Sequence, residues 1–145
     1  MMVENNSRSI LSIYTDGGSR GNPGPAAVGI ALFINGEEIL SAGRIIGIQT
    51  NNVAEYQAFL DSLAELPTQL ENQSISEIRW FLDSKLVVEQ LSGRWKVKDS
   101  GLKELWKECN KQLDILTIPY TIHHIPRENN VLADKMVNQA LDDMA

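Results

Sequence analysis

One cysteine, Cys109, stands in 145 residues, so neither an internal disulfide nor a cysteine-built zinc site supports the fold. Histidine is nearly as scarce, with His123 and His124 the only two. No apolar run approaches the roughly 18 residues of a membrane span, and Met1 to Arg8 is polar, without the apolar stretch of a signal peptide. These absences predict a cytoplasmic chain with no membrane partner. Basic residues are also in deficit, 13 against 19 acidic, and the net charge of -6 counts at face value against a polyanionic partner. The distribution reverses that impression. Seven basic residues (Lys85, Arg94, Lys96, Lys98, Lys103, Lys107, Lys111) and only four acidic ones fall between Lys85 and Lys111, a local +3 on a body that carries -9 elsewhere.

What is present is globular: 43% hydrophobic and 22% charged residues, in a length that makes one domain. Residues 1–8 read as a polar extension and 9–145 as the domain. A first strand runs from Ser9 to Asp16 and ends in a glycine- and proline-rich loop, Gly17 to Pro25. Asn35-Gly36 is a hairpin signal joining a strand at Ala26 to Ile34 to a third at about Glu37 to Ile46. Thr50, Asn51 and Asn52 offer capping side chains to a helix whose apolar stripe (Val53, Tyr56, Leu60, Leu63) ends at Pro67. A strand at Ile78 to Asp83, helices at Ser84 to Leu91 and from about Leu102, a strand near Tyr120 to Ile125 and a final helix complete the order β-β-β-α-β-α-α-β-α. That order predicts an α/β fold, a mixed sheet with helices on its faces.

Asp16 and Asp83 close two of the strands; Glu55 and Asp134 lie near the starts of two helices. Each alone reads as a loop start or a favourable charge at a helix N-terminus. Together, four carboxylates from strand ends and helix starts suit hard, oxygen-liganded Mg²⁺ or Mn²⁺, since carboxylates gathered without a cation repel one another. Two such ions about 3.5–4 Å apart can stabilise the attacking and leaving oxygens of a phosphoryl displacement.

The wording around each acid is more specific. Tyr14-Thr15-Asp16-Gly17-Gly18-Ser19-Arg20-Gly21-Asn22-Pro23-Gly24-Pro25 resembles the opening signature of the type 1 ribonuclease H family. Thr50-Asn51-Asn52-Val53-Ala54-Glu55-Tyr56, Asp83-Ser84-Lys85, and Ile125-Pro126-Arg127-Glu128-Asn129-Asn130 leading to Ala133-Asp134 follow in the family's order. The resemblance spans about Ser9 to Ala140. It implies a five-stranded mixed sheet, three antiparallel strands then two parallel, with helices on both faces. It further implies hydrolysis of the RNA strand of an RNA/DNA hybrid, leaving 5′-phosphate and 3′-hydroxyl ends, with two Mg²⁺ ions per site and Mn²⁺ as a substitute.

By the same resemblance Asp16 bridges both ions, Asp134 completes the ion holding the nucleophilic water, and Glu55 with Asp83 holds the other. Gly17 and Gly18 let backbone approach the RNA strand; Asn22, Asn52 and Ser84 meet sugars or phosphates. Thr50 donates to a phosphate of the DNA strand, Lys96 and Lys98 contact others, and Trp95 packs on a sugar. Trp80 and Trp106, on apolar stripes, read as core. Many bacterial relatives insert a basic helix after this segment, and longer members carry a glycine-flanked histidine on a loop before the last helix. This sequence has room for neither, which implies weaker hybrid binding. His123 and His124 read as strand residues. Arg127 is the candidate for the vacant histidine's place, able to hold a phosphate but not to act as a base. No obligate protein partner is evident, so a monomer is expected. Rival readings are a non-catalytic binding module on the same fold, a different metal-dependent nuclease or integrase, and an acidic interaction domain.

Overall fold

The structure is a computed structural model that describes residues 8–144; the polar extension at residues 1–8 thus lies, but for Arg8, outside the described residues. In chain order it comprises β1 (Ile10–Ser19), β2 (Gly24–Ile34), β3 (Glu37–Gln49), α1 (Asn51–Asn72), β4 (Glu77–Leu82), α2 (Lys85–Leu91), α3 (Ser100–Asp114), β5 (Tyr120–His124) and α4 (Val131–Asp143). A single 3₁₀ turn, Arg127–Asn129, leads into α4. The strands form one sheet in the order β3-β2-β1-β4-β5. β1, β2 and β3 are antiparallel neighbours, while β4 lies parallel to β1 and β5 parallel to β4. This is the predicted mixed sheet.

Alternation along the strands divides the core between two faces. Leu11 and Ile13 of β1, Ile30 and Leu32 of β2, and Ile78 and Trp80 of β4 join Tyr56, Phe59 and Leu63 of α1 and Leu102, Cys109 and Leu113 of α3 in the larger cluster. On the other face α4 lays Val137 and Leu141 against Ala27. It approaches so closely that a Cβ on Gly29 would fall 2.2 Å from the Ala133 carbonyl oxygen, and one on Gly43 2.4 Å from that of Met136. Only glycine admits a helix backbone this near the sheet.

Two sets of buried polar groups are tied within the larger cluster. Trp80 Nε1 donates to Ser62 Oγ at 2.9 Å, and Ser62 Oγ to the Phe59 carbonyl at 2.6 Å. Gln90 accepts from Tyr56 Oη at 2.6 Å, donates to the Lys96 carbonyl at 3.2 Å, and its own carbonyl accepts from Trp106 Nε1 at 3.0 Å. One buried amide thereby fixes the basic segment against α1 and α3. Trp80 is fully buried, as expected of core; Trp106 is half-buried and packs at the margin of the cluster.

Three boundaries depart from the sequence reading. β1 does not end at Asp16 but pairs with β2 through Ser19, because Gly17, Gly18 and Ser19 find partners in Val28, Ala27 and Ala26. β3 likewise runs on to Gln49. α1 continues past Pro67 to Asn72: Leu66 is buried and Leu70 packs on the core, so tertiary contact carries the helix through a residue that lacks a donor. The Asn35-Gly36 turn is as predicted, with φ of 50° and 88°, the left-handed pair that a two-residue hairpin requires.

Candidate active site

The register of the sheet gathers the carboxylates. β1 and β4 run parallel with Thr15 opposite Leu82, and their pairing stops there, so the next residues, Asp16 and Asp83, emerge side by side where the two strands part. Glu55, on the first turns of α1, meets them from above the sheet, with Oε1 accepting the Gly17 N–H at 3.0 Å. A carboxylate oxygen from each of Asp16, Glu55 and Asp83 lies within 4.8 Å of the others. Asp134 is not one of this trio. It stands at the rim on the first turn of α4, half-exposed, with Arg127 Nη2 4.0 Å from Oδ1 and Asn138 Nδ2 donating to Oδ2 at 3.3 Å.

Asp16 is 6% exposed, and burial, followed by the charge of Asp83 and hydrogen bonding to Asp134, pushes its pKa up to about 8. Burial and then the charge of Asp16 raise Glu55 well above the ordinary carboxylate range, and burial raises Asp83 as well. Three carboxylates crowded in this way, with Arg20 and Arg127 on the same cavity, form an oxygen-donor set whose mutual repulsion a cation would relieve. The donor chemistry fits a hard divalent cation. Asn130 braces the floor of the site: it is fully buried, and its Nδ2 donates to the Thr15 carbonyl at 2.8 Å. It occupies the N-cap position of α4, yet its side chain makes no cap bond and is committed to β1 instead. Its Oδ1 and the hydroxyl of Thr15 have no partner in the buried floor.

The acids line a cavity of about 280 Å³ together with Gly17, Gly18, Ser19, Arg20, Asn51, Arg127 and Asn138. Of the glycines, Gly17 is required from within, since a Cβ there would lie 2.2 Å from the backbone of Ala54; Gly18 would meet only Val137 Cγ1, at 3.7 Å. Thr50 caps α1, its Oγ1 accepting from Val53 N at 3.2 Å, and Ser84 caps α2, accepting from Val87 N at 3.2 Å. Asn22 Oδ1 accepts the Asn51 N–H at 3.0 Å. Asn52 faces away from the acids, into a second cavity lined by Trp95, Lys96 and Lys98. Trp95 is 43% exposed, with Lys85 Nζ 6.0 Å from its ring centroid. Among the described residues no ion pair engages Lys96 or Lys98, whereas Arg94 is held by Glu89 at 2.7 Å. The N-terminus of α1 therefore separates an acidic cavity from a basic one.

Two residues in the acidic cavity were read differently or missed in the sequence. Asn51 appeared only as a cap, but its Oδ1 accepts from both N and Oγ of Ser19 at 2.9 and 3.1 Å, fastening the loop to α1. Asn138 lies one helical turn after Asp134, a spacing that could have found it. His123 and His124 both lie in β5, with His123 stacked on Phe81 at 5.3 Å.

The sheet order, with an acidic trio where two parallel strands part and a helix closing each face, defines a ribonuclease H-like domain. The family model described as reverse transcriptase-like matches residues 14–140. The chain is 39% identical over 133 residues to a protein of Halobacterium salinarum named ribonuclease HI, covering 90% of this chain and 63% of that one. A bifunctional protein of Mycobacterium tuberculosis is 38% identical over 136 residues, 92% of this chain but 36% of its own length. Among solved structures, LC11-RNase H1 in complex with an RNA/DNA hybrid aligns with a TM-score of 0.87 at 38% identity, covering 92% of this chain and 98% of that one. RNase H1 from Halobacterium salinarum aligns with a TM-score of 0.85 at 38% identity and the same coverage. The chain thus spans between about a third and two thirds of these two curated relatives and nearly all of the solved domains. It belongs to the type 1 ribonuclease H family.

The raised pKa values set a pH dependence. Between the ordinary aspartate value of 3.8 and about 8, folded Asp16 holds a proton that the unfolded chain has released, so metal-free stability is greatest at the acid end and falls as pH rises through that window. Thermal unfolding in chelator should show a lower midpoint at pH 8 than at pH 5.5, with Mg²⁺ restoring more at pH 8. A midpoint that rises with pH in chelator contradicts the electrostatics described.

Proposed function

We propose that the chain hydrolyses the RNA strand of RNA/DNA hybrids, using divalent cations held by Asp16, Glu55, Asp83 and Asp134 and leaving 5′-phosphate and 3′-hydroxyl ends. The acidic trio at the parting of β1 and β4 carries this reading. The family resemblance proposes Mg²⁺ with Mn²⁺ as substitute, and both favour oxygen donors such as these. When bound, two such ions supply a nucleophile at neutral pH and offset charge on the oxygens of an in-line displacement.

The chain's own residues orient the parts. The Gly17 N–H holds Glu55, Asn138 donates to one oxygen of Asp134, and Arg127 stands 4.0 Å from the other. Arg127, always cationic and largely exposed, orients a phosphate at the mouth of the cavity; it replaces a histidine in position but not in proton transfer. Gly17, Gly18, Asn22 and Ser84 line the path of the RNA strand, where the 2′-hydroxyl distinguishes RNA from DNA. Thr50, Asn52, Trp95, Lys96 and Lys98 grip the DNA strand on the far side of the α1 N-terminus. The separation of an acidic and a basic cavity by that helix end supports the assignment of one strand to each. On the family resemblance alone, the proposal extends to a monomer acting in the cytoplasm on hybrids of replication.

The test is a panel of labelled RNA/DNA hybrid, single-stranded RNA and duplex DNA incubated with Mg²⁺, the products mapped for their ends. Cleavage of hybrid RNA alone, with 5′-phosphates, is expected, and it should weaken steeply with salt. Cleavage of single-stranded RNA as fast as hybrid, or 2′,3′-cyclic ends, contradicts the reading.

A further inference from the structure

Arg20 has no part in the site derived above, yet it lines the same cavity as the carboxylates. Its backbone is clamped in the β1–β2 loop. The Arg20 N–H donates to the Pro25 carbonyl at 2.8 Å, and a Cβ on Gly24 would fall 2.2 Å from the Arg20 carbonyl oxygen. The next residue, Gly21, takes a left-handed φ of 99° in the turn, and the Arg20 side chain reaches along the cavity to α4. There Nη2 lies 2.7 Å from Asp142 Oδ1 and 3.5 Å from Asn138 Oδ1, both on α4. The Arg20 side chain is 47% exposed and that of Asp142 65%.

An ion pair so open to water holds weakly. The contact is made through one nitrogen, so the planar fork that suits a bidentate phosphate is not used up. Arg127 stands on the same cavity, beside Asp134. Two guanidiniums thus flank an acidic pocket, and a strand whose reacting phosphate sits among the carboxylates would carry further phosphates past both.

We propose that Arg20 is a second phosphate anchor for the strand in the acidic cavity, and that Asp142 is its internal competitor, holding the side chain in place until a phosphate takes it over. The proposal rests on the hybrid-cleaving reading. It separates two roles that the ion pair alone does not. Arg20→Ala and Asp142→Asn both break the same pair, so a structural role moves both variants in one direction. A phosphate anchor moves them in opposite directions, because the first removes the anchor and the second frees it.

The experiment measures binding of a fluorescent RNA/DNA hybrid in chelator across a salt series, together with thermal midpoints and Mg²⁺-dependent cleavage by the wild-type chain. Arg20→Ala is expected to weaken binding about three- to tenfold and to lower the magnitude of the salt slope by about one. Asp142→Asn is expected to tighten binding about twofold, and to do so only while Arg20 is present, so that the double variant matches Arg20→Ala. Binding that weakens in both single variants, that is unchanged in Arg20→Ala, or that tightens equally in the double variant overturns the anchor. Divergent binding with no wild-type cleavage leaves the anchor standing and overturns hydrolysis; no hybrid binding by the wild-type chain overturns the anchor, and overturns hydrolysis too only when cleavage is also absent.

Discussion

Asp16→Asn should abolish hybrid cleavage while making the metal-free protein more stable. Asp16 is the most buried member of the acidic trio, and its pKa is pushed up to about 8 by burial and by Asp83. A carboxamide is nearly isosteric, needs no proton and repels neither neighbour. In chelator at pH 8 the substitution removes the electrostatic cost, and a midpoint higher by about 3–6 °C follows from about 1–2 kcal/mol in a domain of this size. With Mg²⁺ present the order reverses, because the wild-type site gains a ligand-bound state that the variant forms poorly. Activity moves the other way. Divalent cations contribute several kcal/mol of charge stabilisation to such reactions, and each 1.36 kcal/mol is a factor of ten, so a loss of about 10³-fold is expected. Equal stability in chelator combined with near-normal cleavage would remove Asp16 from the centre of the site.

Gly17→Ala should destabilise the fold severely although the added group is one methyl. The new Cβ would sit 2.2 Å from both the carbonyl carbon and oxygen of Ala54 and 2.5 Å from the nitrogen of Glu55, all of them backbone atoms that no rotamer change can clear. β1 and α1 must separate, at a cost of about 3 kcal/mol or more and a midpoint lower by roughly 10 °C. The same separation breaks the Gly17 N–H bond to Glu55 Oε1, so the surviving folded fraction should cleave hybrid poorly. Gly18→Ala is the comparison: its Cβ would be in ordinary contact with Val137 Cγ1 at 3.7 Å, and its midpoint should shift by no more than about 2 °C. If both variants melt together, the close approach of α1 to β1 is not what demands the glycine.

The contrast between these two glycines shows how far the sequence could be read. Turn chemistry and local periodicity were legible: Asn35-Gly36 made its hairpin, Thr50 capped α1, and the element order implied the mixed sheet that is present. That Asp16, Glu55 and Asp83 would be neighbours was expected from the residues around them, and they lie together. What was not legible depends on partners distant in the chain. β1 continues past Asp16 only because β2 supplies the opposite edge through Ala26, and α1 passes Pro67 only because Leu66 and Leu70 have a core to pack on. Gly17 was read as an opening toward a nucleic-acid strand, whereas its first necessity is the backbone of α1. Asn51 is an ordinary helix-start residue in sequence; loop closure onto Ser19 gives it a place at the cavity. The division of the acids into a tight trio and a rim member was likewise beyond spacing, since it follows from where the β1–β4 pairing stops.

The overall charge of -6 is similarly reinterpreted by position. Part of the acidic excess is concentrated in one cavity suited to cations, and the basic segment is braced by Gln90 at a neighbouring cavity. The two fields lie on either side of the α1 N-terminus, a partition suited to a duplex whose strands are treated differently.

The most direct measurement is cleavage of one RNA/DNA hybrid, labelled separately on each strand, by the wild-type chain and by Asp83→Asn, with Mg²⁺ and with chelator. The account predicts that the wild-type chain with Mg²⁺ cuts the RNA strand and leaves the DNA intact, and that chelator or Asp83→Asn stops the cutting. Cutting that persists in chelator or in Asp83→Asn, or that falls on the DNA strand, contradicts it.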